Sequence, residues 1–292
     1  MFKQGAYTYT SNDLELWFKV SGKGPICICP TPGWGVSADF YFHTLNNLED
    51  VLTIVYLDTR GTGRSQKPPT ANDYTYKQYA SDLDNLRKLL NQEKILVLGH
   101  SQAGAHAMQY ALYYPQYCAG LILLDTLPAL DEHLNEDTQK NIMARQHEPW
   151  FEEAYAAYIS EAHPQNDKEF THFLFDILPF YFVDQDIIKQ YQEAFQATTF
   201  SLDAMIGQET VQLELNLLPD LHKISVPTLL VVGSDDFICP PLQSERIHLR
   251  IPNSKLIIIQ NAGHFPWLEQ KESFFSRTRA GLQALNLIPE NT

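Results

Sequence analysis

Ser101 is the residue whose surroundings most clearly suggest chemistry. It sits in Gly99-His100-Ser101-Gln102-Ala103-Gly104, after the apolar run ILVLG and before the helical run AHAMQYALYY. This G-x-S-x-A string, placed between a buried strand and a helix, is a nucleophile elbow with Ala in place of the last Gly. The turn holds the serine in a strained conformation with its hydroxyl above the sheet, and residues two positions away must be small. Gly99 and Ala103 meet that demand. The following helix offers free amides and a dipole that favour developing negative charge, and the Gln102 amide is the expected oxyanion donor.

A serine hydroxyl needs a base and an orienting carboxylate, which in this arrangement follow the serine in the order acid, then histidine. His264 lies in Asn261-Ala262-Gly263-His264-Phe265-Pro266, after the apolar run 255–260. Among the ten histidines, His100 and His106 flank the serine, but His100 is expected to point away from it. Three aspartates can serve as the orienter. Asp235 and Asp236 follow the run 228–233, and Asp125 ends the run 119–125. Ligand sites of open α/β sheets collect at the carboxyl ends of strands, which is where Ser101, these aspartates and His264 all fall.

The elements that must position them are legible as alternating strands and helices. Strands are predicted at 6–10, 14–20, 25–30, 52–58, 95–99, 119–125, 228–233 and 255–260, with helices notably at 77–91 and 103–114. The later runs are almost continuously apolar, as for strands buried on both faces of a parallel sheet. The first two alternate and predict an antiparallel hairpin at a sheet edge. The whole reads as an open α/β sheet with right-handed crossovers. From Pro128 to Asp220 the strand rhythm stops, and the stretch reads as several helices punctuated by Pro149, Pro164 and Pro179. That insertion holds 18 acidic residues against Lys140, Arg145, Lys168 and Lys189, and so accounts for the chain's entire net charge of −14. It also holds 13 aromatics, Trp150 among them. One reading is a set of amphipathic helices with an acidic solvated face and an aromatic core. The other is a lid whose aromatics line a pocket and whose carboxylates attract a cation.

The charge balance disfavours phosphate backbones and anionic lipid as partners. No apolar run approaches the roughly 18–20 residues needed to span a bilayer. The opening residues, MFKQGAYTYT, show no signal-peptide apolar region, so a cytoplasmic protein is expected. Cys27, Cys29, Cys118 and Cys239 form neither a metal-ligand spacing nor a disulfide framework, and are expected to be buried and reduced.

At these residues the chain resembles the α/β-hydrolase superfamily, with a likeness to its proline iminopeptidase-like and esterase-like members. The turn Asp58-Thr59-Arg60-Gly61-Thr62-Gly63-Arg64-Ser65 is similar to the D-x-R-G-x-G-x-S turn of that family, where its role is largely structural. The resemblance implies a mostly parallel eight-stranded sheet with helices on both faces. It divides the chain into a core of 1–127 and 221–292 and a helical cap of 128–220. Asp236 stands three residues after Gly233 and four before Pro240, the family's usual spacing for the orienting acid, which favours it over Asp235 and Asp125. The implied catalytic set is Ser101, Asp236 and His264, with no metal and no organic cofactor.

One departure concerns the loop after the third strand. Relatives usually begin it His-Gly; here it reads Pro30-Thr31-Pro32-Gly33-Trp34-Gly35. Prolines have no amide hydrogen to donate, so the second oxyanion donor is Gly33 or Trp34, with Trp34 preferred. Serine rather than aspartate at 101 argues against epoxide and haloalkane chemistry and favours acyl transfer to water. The implied substrates are small esters, amides or short peptides. An acidic cap suits a substrate with a free amine, for which Glu148, Glu152, Glu153, Glu209 and Glu214 are candidate partners, while Trp34 and Trp150 are candidate pocket walls. A ligand-binding receptor-like protein and a carbon–carbon bond hydrolase are the alternatives.

Overall fold

A computed structural model describes residues 2–32, 34–212 and 215–289. Eight strands form one sheet: β1 (Gly5–Ser11), β2 (Leu14–Gly22), β3 (Ile26–Pro30), β4 (Thr53–Leu57), β5 (Ile95–His100), β6 (Cys118–Leu124), β7 (Thr228–Gly233) and β8 (Ser254–Ile259). Their order is β1-β2-β4-β3-β5-β6-β7-β8. β1 and β2 form the expected antiparallel hairpin, β2 pairs antiparallel with β4, and the other pairings are parallel.

Side-chain alternation turns the continuous apolar runs into two cores. On one face Leu96 and Leu98 of β5 and Ile122 and Leu124 of β6 pack with α1 (Asp39–Thr44) and with residues of a C-terminal helix, Phe274 and Leu282. On the other, Val97 and Leu123 meet Leu83 and Leu86 of α2 (Tyr76–Leu89) and Ala105 and Met108 of α3 (Gln102–Tyr113). β8 departs from the expectation of burial on both faces. It is an edge strand, and only its Ile257 and Ile259 are buried. All four cysteines are buried and free. No helix among the described residues is long and apolar enough to cross a membrane.

Between β6 and β7 the chain is helical: α4 (Glu132–Met143), α5 (Phe151–Tyr158), α6 (Asp167–Ile177), a 3-10 turn (Leu178–Tyr181), α7 (Asp186–Gln190), α8 (Gln192–Ala197) and α9 (Leu202–Gln212). Its two ends are stitched together. Ala129 and Asn216 form an antiparallel bridge, and the Leu130 and Leu217 amides donate to the Leu215 and Pro128 carbonyls. The segment thus leaves and rejoins the sheet at one place. α10 (Pro241–His248), α11 (Pro266–Glu269) and α12 (Lys271–Ala284) complete the chain.

The turn after β4 is structural, as the resemblance implies. Arg60 is 1% exposed and makes a two-pronged bond to Asp82 at 2.9 Å on each arm. Asp58 accepts the Ala38 amide at 2.6 Å and the Arg64 amide and guanidinium at 2.9 and 2.8 Å. It therefore ties the turn to the loop that follows β3. A Cβ on Gly63 would lie 2.3 Å from the Asp58 carboxylate, so this position needs glycine for space as well as for its φ of 52°.

His106, one helical turn beyond the elbow, packs α3 on α2. Its ring stacks on Tyr79 at 4.1 Å, is fully buried, and has no hydrogen-bond partner for either nitrogen among the described residues. Burial pushes its pKa down from 6.5 to about 3. The unfolded chain therefore binds a proton that the folded chain refuses, and stability falls as pH drops from 6.5 towards 3. His100, also held low by burial, acts in the same direction. His106→Phe should flatten this acid limb in urea unfolding measured across that pH range; an unchanged slope would contradict the assignment.

Candidate active site

The elbow has the geometry its sequence requires. Ser101 sits between β5 and α3 at φ 54° and ψ −129°, a region that non-glycine residues rarely enter. Its amide donates to the Leu124 carbonyl at 3.0 Å, and its own carbonyl accepts the Thr126 hydroxyl at 2.6 Å. Those bonds, to the end of β6 and the loop beyond it, hold the strained turn. The space is full: a Cβ on Gly99 would meet the Ala103 carbonyl at 2.3 Å, and one on Gly104 would meet the Thr126 hydroxyl at 2.1 Å. Gln102 opens α3, where an amide has no carbonyl one turn back to bond.

Asp236 and His264 come together from the loops after β7 and β8. His264 Nδ1 lies 2.8 Å from Asp236 Oδ2, with both side chains buried. Asp236 Oδ1 accepts the Ile238 and Cys239 amides at 3.0 Å each, which fixes the carboxylate. Neither of the other two aspartates is the partner of the His264 ring. Asp235 is exposed and accepts the Ser234 hydroxyl. Asp125 is fully buried and accepts the Gly233 amide at 2.8 Å. Burial, and then the Asp236 charge, hold the Asp125 pKa well above the ordinary carboxyl range.

His264 is gripped on three sides. Its amide donates to the Tyr181 carbonyl at 2.9 Å, and the preceding Gly263 amide donates to Glu269 at 2.6 Å. Its carbonyl faces His100 Nε2 at 3.0 Å, while His100 Nδ1 meets the Tyr41 hydroxyl at 2.8 Å. A carbonyl only accepts, so His100 carries its proton on Nε2 and Tyr41 donates to Nδ1. The His100 ring, 4.5 Å from that of His264, thus has both nitrogens engaged and holds the His264 backbone. Sequence reasoning missed this role; the only signal was a histidine directly before the serine.

Ser101, His264, Gln102 and Trp34 line one cavity of about 540 Å³. Its walls are largely apolar, with Phe40, Leu127, Leu178, Phe195, Ile238 and Phe265 among them. Cys239 lines it too. Burial, and then the Asp236 and Asp125 charges, push the Cys239 thiol pKa well up. Gly33 and Glu214 lie outside the described residues.

The candidates from the insertion divide. Glu209 lines the cavity at its exposed rim, where desolvation raises its pKa. Glu148, Glu152 and Glu153 are exposed and do not line it, because they fall on the solvent side of their segments. Trp150 is not a wall either; its ring packs edge-on against Phe180 at 5.1 Å inside the insertion. Arg145, one of the insertion's four basic residues, was not singled out by sequence. It donates to the backbone carbonyls of Phe180, Phe182 and Asp235, and so ties the insertion to the Asp236 loop.

Comparison with known proteins agrees with this architecture. The family description "alpha/beta hydrolase fold" matches residues 24–271. Proline iminopeptidase PfmaB of Pestalotiopsis fici is 28% identical over 288 residues, covering 93% of this chain and 97% of its own. A solved α/β-fold hydrolase from Bacillus anthracis superposes with a TM-score of 0.80 at 16% identity, covering 96% of this chain and 99% of that one. The esterase EaEST from Exiguobacterium antarcticum gives 0.73 at 20% identity, covering 94% and 98%.

His100→Phe would leave the His264 carbonyl and the Tyr41 hydroxyl without partners. Each buried orphan costs about 1–3 kcal/mol. Urea unfolding should show a loss of that order; an unchanged midpoint would refute the holding role.

Proposed function

The chain belongs to the α/β-hydrolase fold family, and on that premise we propose that it is a serine hydrolase of small ester or amide substrates. The observation that carries this reading is the Asp236–His264 hydrogen bond, whose histidine lines the same apolar cavity as the strained Ser101. In the proposed cycle Ser101 attacks the substrate carbonyl carbon while His264 takes its proton through Nε2. Asp236 fixes the ring tautomer and stabilises the imidazolium. The amide of Gln102 and that of Trp34 or Gly33 stabilise the oxyanion, each donor worth about 10²–10³ in rate. His264 then protonates the leaving alcohol or amine. Water, deprotonated by His264, releases the acid from the acyl-enzyme and restores the serine. The cycle draws on no metal or organic cofactor.

The apolar walls favour an uncharged hydrocarbon acyl group, as in a carboxylesterase. Glu209 and the likeness to an iminopeptidase support a second reading, in which the carboxylate meets the free amine of an N-terminal prolyl substrate. In both readings segment 128–220 serves as a lid over a core of 1–127 and 221–292. The free, buried thiols support a reducing, cytoplasmic workplace.

A fluorophosphonate probe should label the wild type and leave Ser101→Ala unlabelled. Asp236→Asn should lower kcat by about 10⁴-fold. An unlabelled wild type that also turns over no ester or amide would reject the proposal in favour of a receptor-like protein. Comparing p-nitrophenyl acetate and butyrate with prolyl-β-naphthylamide separates the two readings. If the amine is gripped as proposed, Glu209→Gln raises KM for the prolyl substrate and leaves KM for the esters unchanged. Parallel changes for both substrates would remove the iminopeptidase reading.

A further inference from the structure

Cys239 lies three residues beyond Asp236 in the same buried turn, and its amide donates to the Asp236 carboxylate. The consequence is a cluster of three different donor types. The Cys239 sulfur, an Asp236 carboxylate oxygen and a His264 ring nitrogen all lie within 4.8 Å of one another, and all three residues are buried. Cys239 and His264 also line the cavity, so the cluster opens onto it. Sequence spacing concealed this cluster, because its third member comes from the loop of another strand.

We propose that Asp236, Cys239 and His264 form a binding site for Zn²⁺, and that filling it reversibly stops hydrolysis. The effect on hydrolysis rests on the serine hydrolase reading; the binding does not. Thiolate, imidazole and carboxylate are the donors Zn²⁺ takes, at about 2.3, 2.0–2.1 and 2.0–2.2 Å. Tetrahedral coordination at those lengths sets ligand atoms roughly 3.3–3.6 Å apart, so a pair at the outer limit closes by about 1.2–1.5 Å, while metal on Nδ1 opens the 2.8 Å Nδ1–Oδ2 pair by about 0.5–0.8 Å and replaces its hydrogen bond. Charge supports the assignment. As the sulfur–metal bond forms, the thiol proton leaves to solvent, and the ion's two positive charges meet one thiolate and one carboxylate. The filled site is neutral, which buried surroundings favour.

The shared imidazole explains the inhibition. Metal on Nε2 occupies the lone pair that would accept the Ser101 proton. Metal on Nδ1 leaves Nε2 protonated. In both cases the ring no longer serves as a base.

Binding is tested without turnover by adding Co²⁺ to Ser101→Ala. The expected result is a thiolate-to-cobalt charge-transfer band that saturates near one equivalent, is displaced by Zn²⁺, and is absent in Ser101→Ala/Cys239→Ala. No band in Ser101→Ala would overturn the site. Inhibition is tested on the wild type with p-nitrophenyl butyrate. Zn²⁺ should suppress turnover and EDTA should restore it. In Cys239→Ala, or Cys239→Ser if the alanine variant does not fold, the half-inhibiting Zn²⁺ concentration should rise by at least the roughly 10–100-fold that losing even an outer-shell partner costs, each variant being scored against its own metal-free rate. Equal sensitivity of wild type and variant would overturn the inhibitory role. A wild type inactive on all substrates, alongside a cobalt band in Ser101→Ala, would reject the hydrolase reading and leave the metal site standing.

Discussion

The hydrogen bond between the Asp236 carboxylate and the His264 ring is the contact around which the site is organised. Its partners leave neighbouring strands, β7 and β8, on loops that have no regular structure of their own to hold them. A bond of this kind is useful only if both ends are immobile. Asp236 achieves this with two backbone amides from its own turn. His264 achieves it with partners from three other places: Tyr181 in the insertion, Glu269 in the following helix through Gly263, and His100 at the end of β5. The imidazole is thus positioned by its backbone as much as by its carboxylate.

A second constraint acts on the serine. The left-handed turn at Ser101 stores strain that has to be offset locally, and the offset is both steric and hydrogen-bonded. Gly99 and Gly104 leave no room for a methyl group, while the end of β6 and Thr126 bond the Ser101 backbone. Across the cleft, Asp58 bonds the Ala38 amide and anchors the loop carrying Trp34. The turn after β4, far from the serine in sequence, therefore steadies one wall of the cavity.

The fold was legible because buried parallel strands write long apolar runs, and β5, β6 and β7 are such runs. The elbow was legible because its steric demands fall on adjacent residues. Asp236 and His264 were legible by position, each being polar at the carboxyl end of a strand. The insertion resisted reading for a physical reason. Its helices are short and acidic on several sides, so the sequence did not show which carboxylate faces inward. Glu209, itself exposed, borders the cavity, while Glu148 and Glu152 do not. The roles of His100, Arg145 and Cys239 were hidden because each depends on a backbone carbonyl or a side chain brought close only by the tertiary fold.

The strap 178–184 has a mechanical consequence. Tyr181 holds the His264 amide, Glu269 holds the Val183 and Asp184 amides, and Arg145 holds the Phe180 and Phe182 carbonyls. Lifting this part of the insertion would unseat the histidine it rests on. The segment is thus a fixed buttress for the loop that carries the histidine.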